Sequence, residues 1–448
     1  MHITPVILAA GQGTRMKSDL PKVLHPVLGQ PLVWHAVHTL QQITDVKPVV
    51  VVGHGAESVK QTLDDSVQYA YQEQRLGTGH AVMQAVELLK GKTDYVLVSY
   101  ADMPLLTAKT FSKIVDTQLQ HDGPITILTN IADDPRGFGR IIRDSNGNVQ
   151  AIVEEHHCTP DQLQIRELNT SVYCIKADWL WPALERIPIS PKGEYYLTDL
   201  VAIAVSDGTS VQTVTITDPV EVIGINTRVH LAEATAHMRD QINRQWMVDG
   251  VTIVDPKTTY IEVGVRLGKD TIIWPNTYLQ GETQIGEGCV IGPNAHIRDT
   301  QIGNRCQVFA SVLENAVLEN EVDMGPFARL RPGAYLADGV HMGNFGEVKN
   351  SYLGPGTKMG HFSYLGDATL VANVNVGAGT ITCNYDGKKK SPTEIGQNAF
   401  IGSDTLLVAP VKVGEGAYTG AGSIVTKDVP SKTLAVGSPA RGIKKIVD

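Results

Sequence analysis

The first residues in this 448-residue chain that could do chemistry are glycines followed by two cations. LAAGQGTRM, residues 8–16, comes straight out of an apolar run. Glycines there let backbone N–H groups approach an anion, and Arg15 adds positive charge. LPKVL supplies a second cation, Lys22, seven residues later. A Gly-rich loop with Arg and Lys suits a nucleoside triphosphate whose leaving group is pyrophosphate. The motif lacks the G-K-[ST] ending of a P-loop, which disfavours ATPase chemistry. VSYADMP ends an apolar run with Asp102, and VIGINTR is expected to put Asn226 at a second strand end. Such oxygens can hold Mg²⁺, which keeps most of its waters and takes one or two protein ligands plus phosphates. GTGHA, residues 77–81, opens a helix and suits close backbone approach to a base or ribose. Each motif taken alone has a plainer reading: a Gly-x-Gly can be a turn, and an aspartate can cap a helix.

A second group lies late in the chain. KMGHFSYLGDA carries His361 and Tyr364, with Arg331, Lys349, Asn375 and Asn384 in the neighbourhood. In a coil of eighteen residues, positions eighteen apart stack, so 331 pairs with 349 and 343 with 361. Arg331 over Lys349 makes a cation pair suited to a dianionic sugar phosphate, with simple surface solvation as the alternative.

Three kinds of element must position these groups. Residues 1–227 alternate apolar runs (TPVILAA, VKPVVVVG, DYVLVSYAD, GPITILTN) with amphipathic stretches such as PLVWHAVHTLQQI and TGHAVMQAVELL. That alternation predicts an α/β, Rossmann-like sheet with ligands at the carboxyl ends of its strands. Residues 228–248 predict a linking helix with an apolar stripe at Leu231, Met238, Ile242 and Trp246. From 249 to 448 an aliphatic residue recurs every sixth position: Ile261, Leu267, Ile273, Leu279, Ile285, Ile291, Ile297, and later Ile395, Ile401, Leu407 and Val413. This hexapeptide period is the signature of a parallel β-helix. The rhythm breaks between 377 and 394, an 18-residue excursion that reads as a binding loop.

Composition excludes other classes. A net charge of −9 argues against nucleic acid or an anionic membrane as the main partner. Five cysteines without C-x-x-C spacing read as reduced thiols. No apolar stretch is long enough for a signal peptide or membrane span, so a cytoplasmic protein is expected.

The motifs LAAGQGTRM, LPKVLHP, EQRLGTGHA, YADMPLL, GFGRI, IVEE, ELNT, GEYYLTDL and INTR occur in the order of those in sugar-1-phosphate nucleotidyltransferases. The second half resembles the left-handed hexapeptide β-helix of acyltransferases. GPFARLRPGA, GNFGEVKNSYLG, GHFSYLGDA and VGAGTITCNYDG join the two resemblances. Together they resemble the family of bifunctional N-acetylglucosamine-1-phosphate uridyltransferase/glucosamine-1-phosphate acetyltransferases, over nearly the whole chain.

The resemblance implies that Leu8, Ala9, Ala10, Gly11, Lys22, Gln72, Gly77 and Thr78 hold UTP, with Arg15 and Lys22 stabilising charge. Tyr100, Ala101, Asp102, Gly139, Glu154, Asn169 and Asn226 would meet the amino sugar, and Asp102 and Asn226 would ligate Mg²⁺. Ala101 stands where the family commonly has glycine, so a slightly tighter site is expected. At the other end, His361 would be the general base for the amine of glucosamine 1-phosphate as it attacks acetyl-CoA. Arg331 and Lys349 would hold the phosphate, and Tyr364, Asn375, Asn384 and Tyr385 the sugar. Ala378, Ser403 and Ala421, with Asn384 and Tyr385, would line the acetyl-CoA groove. A homotrimer with shared acetyl sites is implied. The tail departs from the family, with Ser438 near the place of a late arginine and Arg441, Lys444 and Lys445 beyond it. Two alternatives remain: a nucleotidyltransferase whose β-helix only oligomerises, and a sugar-nucleotide-binding regulator without catalysis.

Overall fold

The computed structural model describes residues 1–445, in two compact units, Met1–Met238 and Arg239–Asp448. Among the described residues, no helix is long and apolar enough to cross a membrane.

The first unit is built on a mixed sheet. Its path runs Val211–Thr215, Ile125–Ile131, Glu167–Lys176, Tyr95–Tyr100, Ile3–Leu8, Val49–Val52, Gln68–Tyr71. Ile3–Leu8 is parallel to both its neighbours, whereas Glu167–Lys176 runs antiparallel to both of its own. Central strands such as Val49–Val52 are buried on both faces, which explains why they read as continuous apolar runs. Two expectations change here. TGHAVMQAVELL is not one helix but two short ones, Thr78–Met83 and Val86–Leu89. At the break the N–H groups of Gln84 and Ala85 bond three residues back, to Ala81 and Val82, which tightens the turn. VIGINTR is not a strand end. It follows the 3₁₀ turn Pro219–Val222 as a loop, because Ile225 N–H bonds the carbonyl of Asp102 at 2.9 Å instead of joining the sheet.

The helix Arg228–Val248 carries the division between the units inside it. Its second half belongs to the coil: Ile242 and Trp246 pack on the coil core, and the fully buried Asn243 donates from Nδ2 to the carbonyls of Pro256 and Thr259 at 2.8 and 2.9 Å. Those bonds satisfy carbonyl groups at the open start of the solenoid.

The second unit is a left-handed β-helix of hexapeptide repeats, with three sheets of twelve, ten and nine strands among the described residues, parallel except where Ala440–Lys445 turns back antiparallel on Thr433–Gly437. Each coil contributes one short strand to each sheet, and the inward aliphatics stack in register, as in Ile273 on Ile291 and Leu279 on Ile297. All four are fully buried, each side chain contributing about 1.5–3 kcal/mol of burial. Two spacing expectations are corrected. Met342 pairs with Met359, a step of 17, so His361 stands above Asn344 rather than above Gly343. Leu330 does pair with Val348, which puts Lys349 over Arg331. The interruption is also shorter than expected. Strands Asn375–Val376, Ile381–Cys383 and Thr393–Ile395 keep the three sheets going. Only 384–392 leaves the coil, so Val376 meets Ile401 after 25 residues where neighbouring coils take 17 or 18. The loop closes on itself through the Tyr385–Lys390 bridge and through Asp386, which accepts the N–H groups of Lys388 and Lys389 at 2.8 Å each.

Candidate active sites

A cavity of about 390 Å³ opens at the carboxyl ends of strands Ile3–Leu8 and Tyr95–Tyr100. Leu8, Ala9, Ala10, Gly11, Lys22, Gln72, Gly77, Thr78, Tyr100, Asp102 and Asn226 all line it. Two glycines explain the shape of its walls. Gly13 sits at φ +67°, and a Cβ there would lie 2.4 Å from Cβ of Lys22, so only glycine lets the loop fold onto the lysine. Gly77 sits at φ +97°, and its Cβ would lie 2.5 Å from the carbonyl oxygen of Tyr195. That contact brings 194–197 against the helix start, where Thr78 Oγ1 accepts the N–H of Leu197 at 3.0 Å and Gln72 Nε2 donates to the Gly77 carbonyl at 3.0 Å.

Lys22 Nζ forms a close ion pair with Asp102 Oδ2 and donates to Asn226 Oδ1 at 3.2 Å. One anionic and one neutral oxygen thus converge on a single cation position. Oxygen-only donors, one of them a carboxylate, fit a hard divalent ion that takes its remaining ligands from phosphate and water. Among the described residues, no three His, Cys, Asp or Glu side chains form a self-sufficient metal cage.

Other expected residues lie outside the cavity wall. Arg15 is exposed on the turn Thr14–Met16. Ala101 is fully buried, in a cluster with Leu97, Met103 and Leu128, so its methyl group fills core and does not narrow the cavity. Gly139 and Asn169 are joined by a 2.9 Å bond from Asn169 N–H to the Gly139 carbonyl, and Asn169 Nδ2 donates to the Tyr173 hydroxyl at 2.7 Å. Glu154 Oε1 accepts from Thr198 Oγ1 at 3.0 Å. Burial first, then the Glu154 carboxylate, pushes the Tyr100 hydroxyl above its ordinary range. Burial, then Tyr100, does the same to Tyr173. Both phenols are therefore neutral donors facing a polar cluster. The sequence reading missed Arg75, Glu194 and Tyr196 on the cavity wall. All three sit inside quoted motifs, EQRLGTGHA and GEYYLTDL.

In the β-helix, His361, Ala378, Ser403 and Ala421 follow one another up a single corner, between the twelve- and ten-stranded sheets. Glycines precede each of them, and two of these stack with no room for a Cβ, Gly377 on Gly402 and Gly402 on Gly420. His361 is exposed at the corner. On the ten-stranded side, Lys349 is in register with Gly366, whose missing Cβ leaves space for the Tyr364 hydroxyl and Asn384 Nδ2. Asp367 fastens the loop by accepting from Asn384 Nδ2 at 2.5 Å and Asn350 Nδ2 at 2.6 Å. Burial raises the Asp367 carboxyl, but these amides and the ammonium groups of Lys390 and Lys349 outweigh it and hold the group below the usual carboxylate range. The neighbouring Lys390, then Arg331, presses the Lys349 ammonium below its ordinary value. Lys390 is thus a third cation beside the expected pair, one that the sequence reading did not include. Arg331 also pairs with Glu347 at 3.0 Å. Asn375 is not brought to this cluster: it lies on the twelve-stranded face, between Lys358 and Phe400. Tyr385 is exposed on the loop. A groove of about 500 Å³ beneath the loop is lined by Asn350, Asp367 and Lys390 but by none of the expected sugar residues.

An α/β nucleotide cavity followed by a hexapeptide solenoid defines a nucleotidyltransferase fused to an acyltransferase. Residues 5–187 match the MobA-like NTP transferase domain, and residues 264–299 and 392–427 match the bacterial transferase hexapeptide (six repeats). The chain is 49% identical to the bifunctional protein GlmU of Heliobacterium modesticaldum, across 99% of this chain and 97% of that one. The corresponding proteins of a Geobacillus strain and of Enterococcus faecalis are 48% and 47% identical, each across 98% of this chain and 96% of theirs. The chain belongs to the bifunctional GlmU family. It is an enzyme with two activities: acetyl transfer from acetyl-CoA to glucosamine 1-phosphate, and divalent-metal-dependent uridylyl transfer from UTP to N-acetylglucosamine 1-phosphate.

Proposed function

We propose that UTP binds in the 390 Å³ cavity, its uracil against Gln72, Gly77 and Thr78 and its phosphates over Leu8, Ala9, Ala10, Gly11 and Lys22. The convergence of Lys22, Asp102 and Asn226 beside the Gly-rich loop is the observation that carries this reading. Asp102 and Asn226 hold Mg²⁺, which when bound neutralises phosphate charge. Tyr100, Gly139, Glu154 and Asn169 orient the amino sugar, with Ala101 shaping the turn between Tyr100 and Asp102. An oxygen of the sugar phosphate attacks the α-phosphorus in line, and the bond to the β-phosphate oxygen breaks with its electron pair leaving on pyrophosphate. Positioning and charge stabilisation carry such a step, since no covalent intermediate is needed. Arg15 is near the loop but exposed, so its contribution is to long-range charge.

At the corner of the β-helix, His361 accepts the proton of the glucosamine amine as nitrogen attacks the thioester carbonyl and coenzyme A departs as thiol. Arg331 and Lys349 hold the sugar phosphate, with Tyr364, Asn384 and Tyr385 on the sugar. Acetyl-CoA runs up the corner past Ala378, Ser403 and Ala421. A convex corner cannot enclose a ligand by itself, and Asn375 faces away from the cation cluster. Exposed Phe327, Phe345 and Phe362 lie along the same corner. These features support a homotrimer in which a second copy closes each acetyl site and brings its own Asn375. Residues 1–227 perform uridylyl transfer and 249–448 acetyl transfer, in a cytoplasmic enzyme. The test is a pair of variants assayed for both reactions. His361→Ala should lose acetyl transfer alone, and Asp102→Ala uridylyl transfer alone; loss of both activities in either folded variant contradicts the two-site reading.

A further inference from the structure

Arg75 lines the nucleotide cavity, and its Nη1 donates to Gln12 Oε1 at 2.5 Å. Gln12 lies between Gly11 and Gly13, so the bond joins the Gly-rich loop to the 72–77 segment across the mouth of the cavity. The charged groups on the wall are Lys22, Arg75, Asp102 and Glu194. Lys22 faces Asp102, whereas Arg75 is paired with a neutral amide, so the wall offers a second positive charge beside that of Lys22. A triphosphate needs that charge most where its leaving group forms.

We propose that Arg75 is the residue that grips the departing pyrophosphate, and that Gln12 is the positioning residue that aims it. The proposal rests on UTP occupying this cavity. A guanidinium presents its donors as a planar fork, so one bond to Gln12 leaves the rest of the fork for two phosphate oxygens. As the bond from the α-phosphorus breaks, charge collects on the pyrophosphate, and a charge-assisted bidentate contact there strengthens with the charge. Gly11 lines the same cavity, and a Cβ there would meet nothing within 4 Å, so the wall is open at that point.

The reverse reaction separates the two ends of the nucleotide. Full-length protein is given pyrophosphate and UDP-N-acetylglucosamine, and KM is measured for each. Arg75→Gln should raise KM for pyrophosphate about 30-fold, the scale of one lost charged hydrogen bond. KM for the UDP-sugar should stay within about 2-fold, since it carries no β–γ group of UTP. Arg75→Lys should be intermediate, because it keeps charge and loses the fork. Gln12→Ala should shift the same constant less, and the double variant should be no worse than Arg75→Gln alone, as expected for residues acting as a unit. The KM for the UDP-sugar, read in the same assay, reports that the nucleotide unit of each variant is folded. An unchanged KM for pyrophosphate in Arg75→Gln overturns the proposal, and strict additivity of the two changes overturns the role of Gln12. Gln72→Ala is the check on the cavity itself: it should raise KM for the UDP-sugar and spare pyrophosphate. If it moves neither constant, the nucleotide binds elsewhere and the site assignment fails first.

Discussion

Lys22 and Asp102, eighty residues apart in sequence, form a close ion pair that is largely shielded from solvent, with Asn226 as its third member. Removing one partner of a shielded pair leaves the other charge uncompensated, whereas removing both does not. Asp102→Ala should therefore lower stability by about 1–3 kcal/mol as well as stopping uridylyl transfer. Lys22→Met/Asp102→Ala should recover most of the stability and none of the activity. Thermal unfolding of the three proteins beside a pyrophosphate-release assay checks this.

The two glycines on the cavity wall should respond differently to alanine. Gly77→Ala forces a side chain into φ +97° and against the Tyr195 carbonyl, so fold and nucleotide affinity should fall together, by about 1–3 kcal/mol in stability. Gly11→Ala meets no neighbour within 4 Å. It should leave the melting temperature unchanged and raise KM for UTP, because the new methyl group projects into ligand space. Calorimetric unfolding and UTP titration of both variants decide the matter.

Lys349 bears the repulsion of Lys390 and Arg331, and its proton is held less tightly than in the unfolded chain. A lysine whose value is lowered by folding opposes folding when charged, and the penalty fades as pH rises through the lowered value toward the ordinary lysine range. At neutral pH the penalty is fully present, so an anion that neutralises the cluster should stabilise the protein. Glucosamine 1-phosphate should raise the melting temperature more at pH 7 than at pH 10.5. Lys390→Met should weaken the sugar phosphate about tenfold without lowering the melting temperature of the free protein. A melting curve with and without ligand at both pH values is the measurement.

Asn243 ties the linking helix to the first coil through two buried carbonyl groups. Asn243→Ala leaves both unpaired and should cost about 1–3 kcal/mol. Hydrogen exchange should show the loss concentrated in the first coils, near Pro256 and Thr259, with the nucleotide cavity unaffected.

The parts legible in the sequence were those set by short periods. Inward aliphatics such as Ile273 and Leu279 repeat every six residues because each must stack on its counterpart one coil away, so both the solenoid and the Arg331–Lys349 stack could be read directly. Where coil length varies, counting fails: a 17-residue step moved His361 from Gly343 to Asn344, and the strand Ile381–Cys383 lay hidden inside 377–394. Asn226 looked like a strand end because VIGI is apolar, but the backbone of Ile225 is satisfied by Asp102 instead. Arg75 and Lys390 were out of reach for a different reason. Each becomes functional through a neighbour distant in sequence, Gln12 in one case and Lys349 in the other, and charge on a loop carries no local sign of its partner.

Whether the corner of the β-helix is an active site as well as a scaffold has a direct test. Thiol release from acetyl-CoA, followed with purified protein given either glucosamine 1-phosphate or glucosamine, tests that most directly. Release that requires the phosphorylated sugar, and that disappears in His361→Ala, is the predicted result. No release from protein that still forms pyrophosphate from UTP and N-acetylglucosamine 1-phosphate would contradict it, and would leave the solenoid as a spine for the nucleotidyltransferase alone.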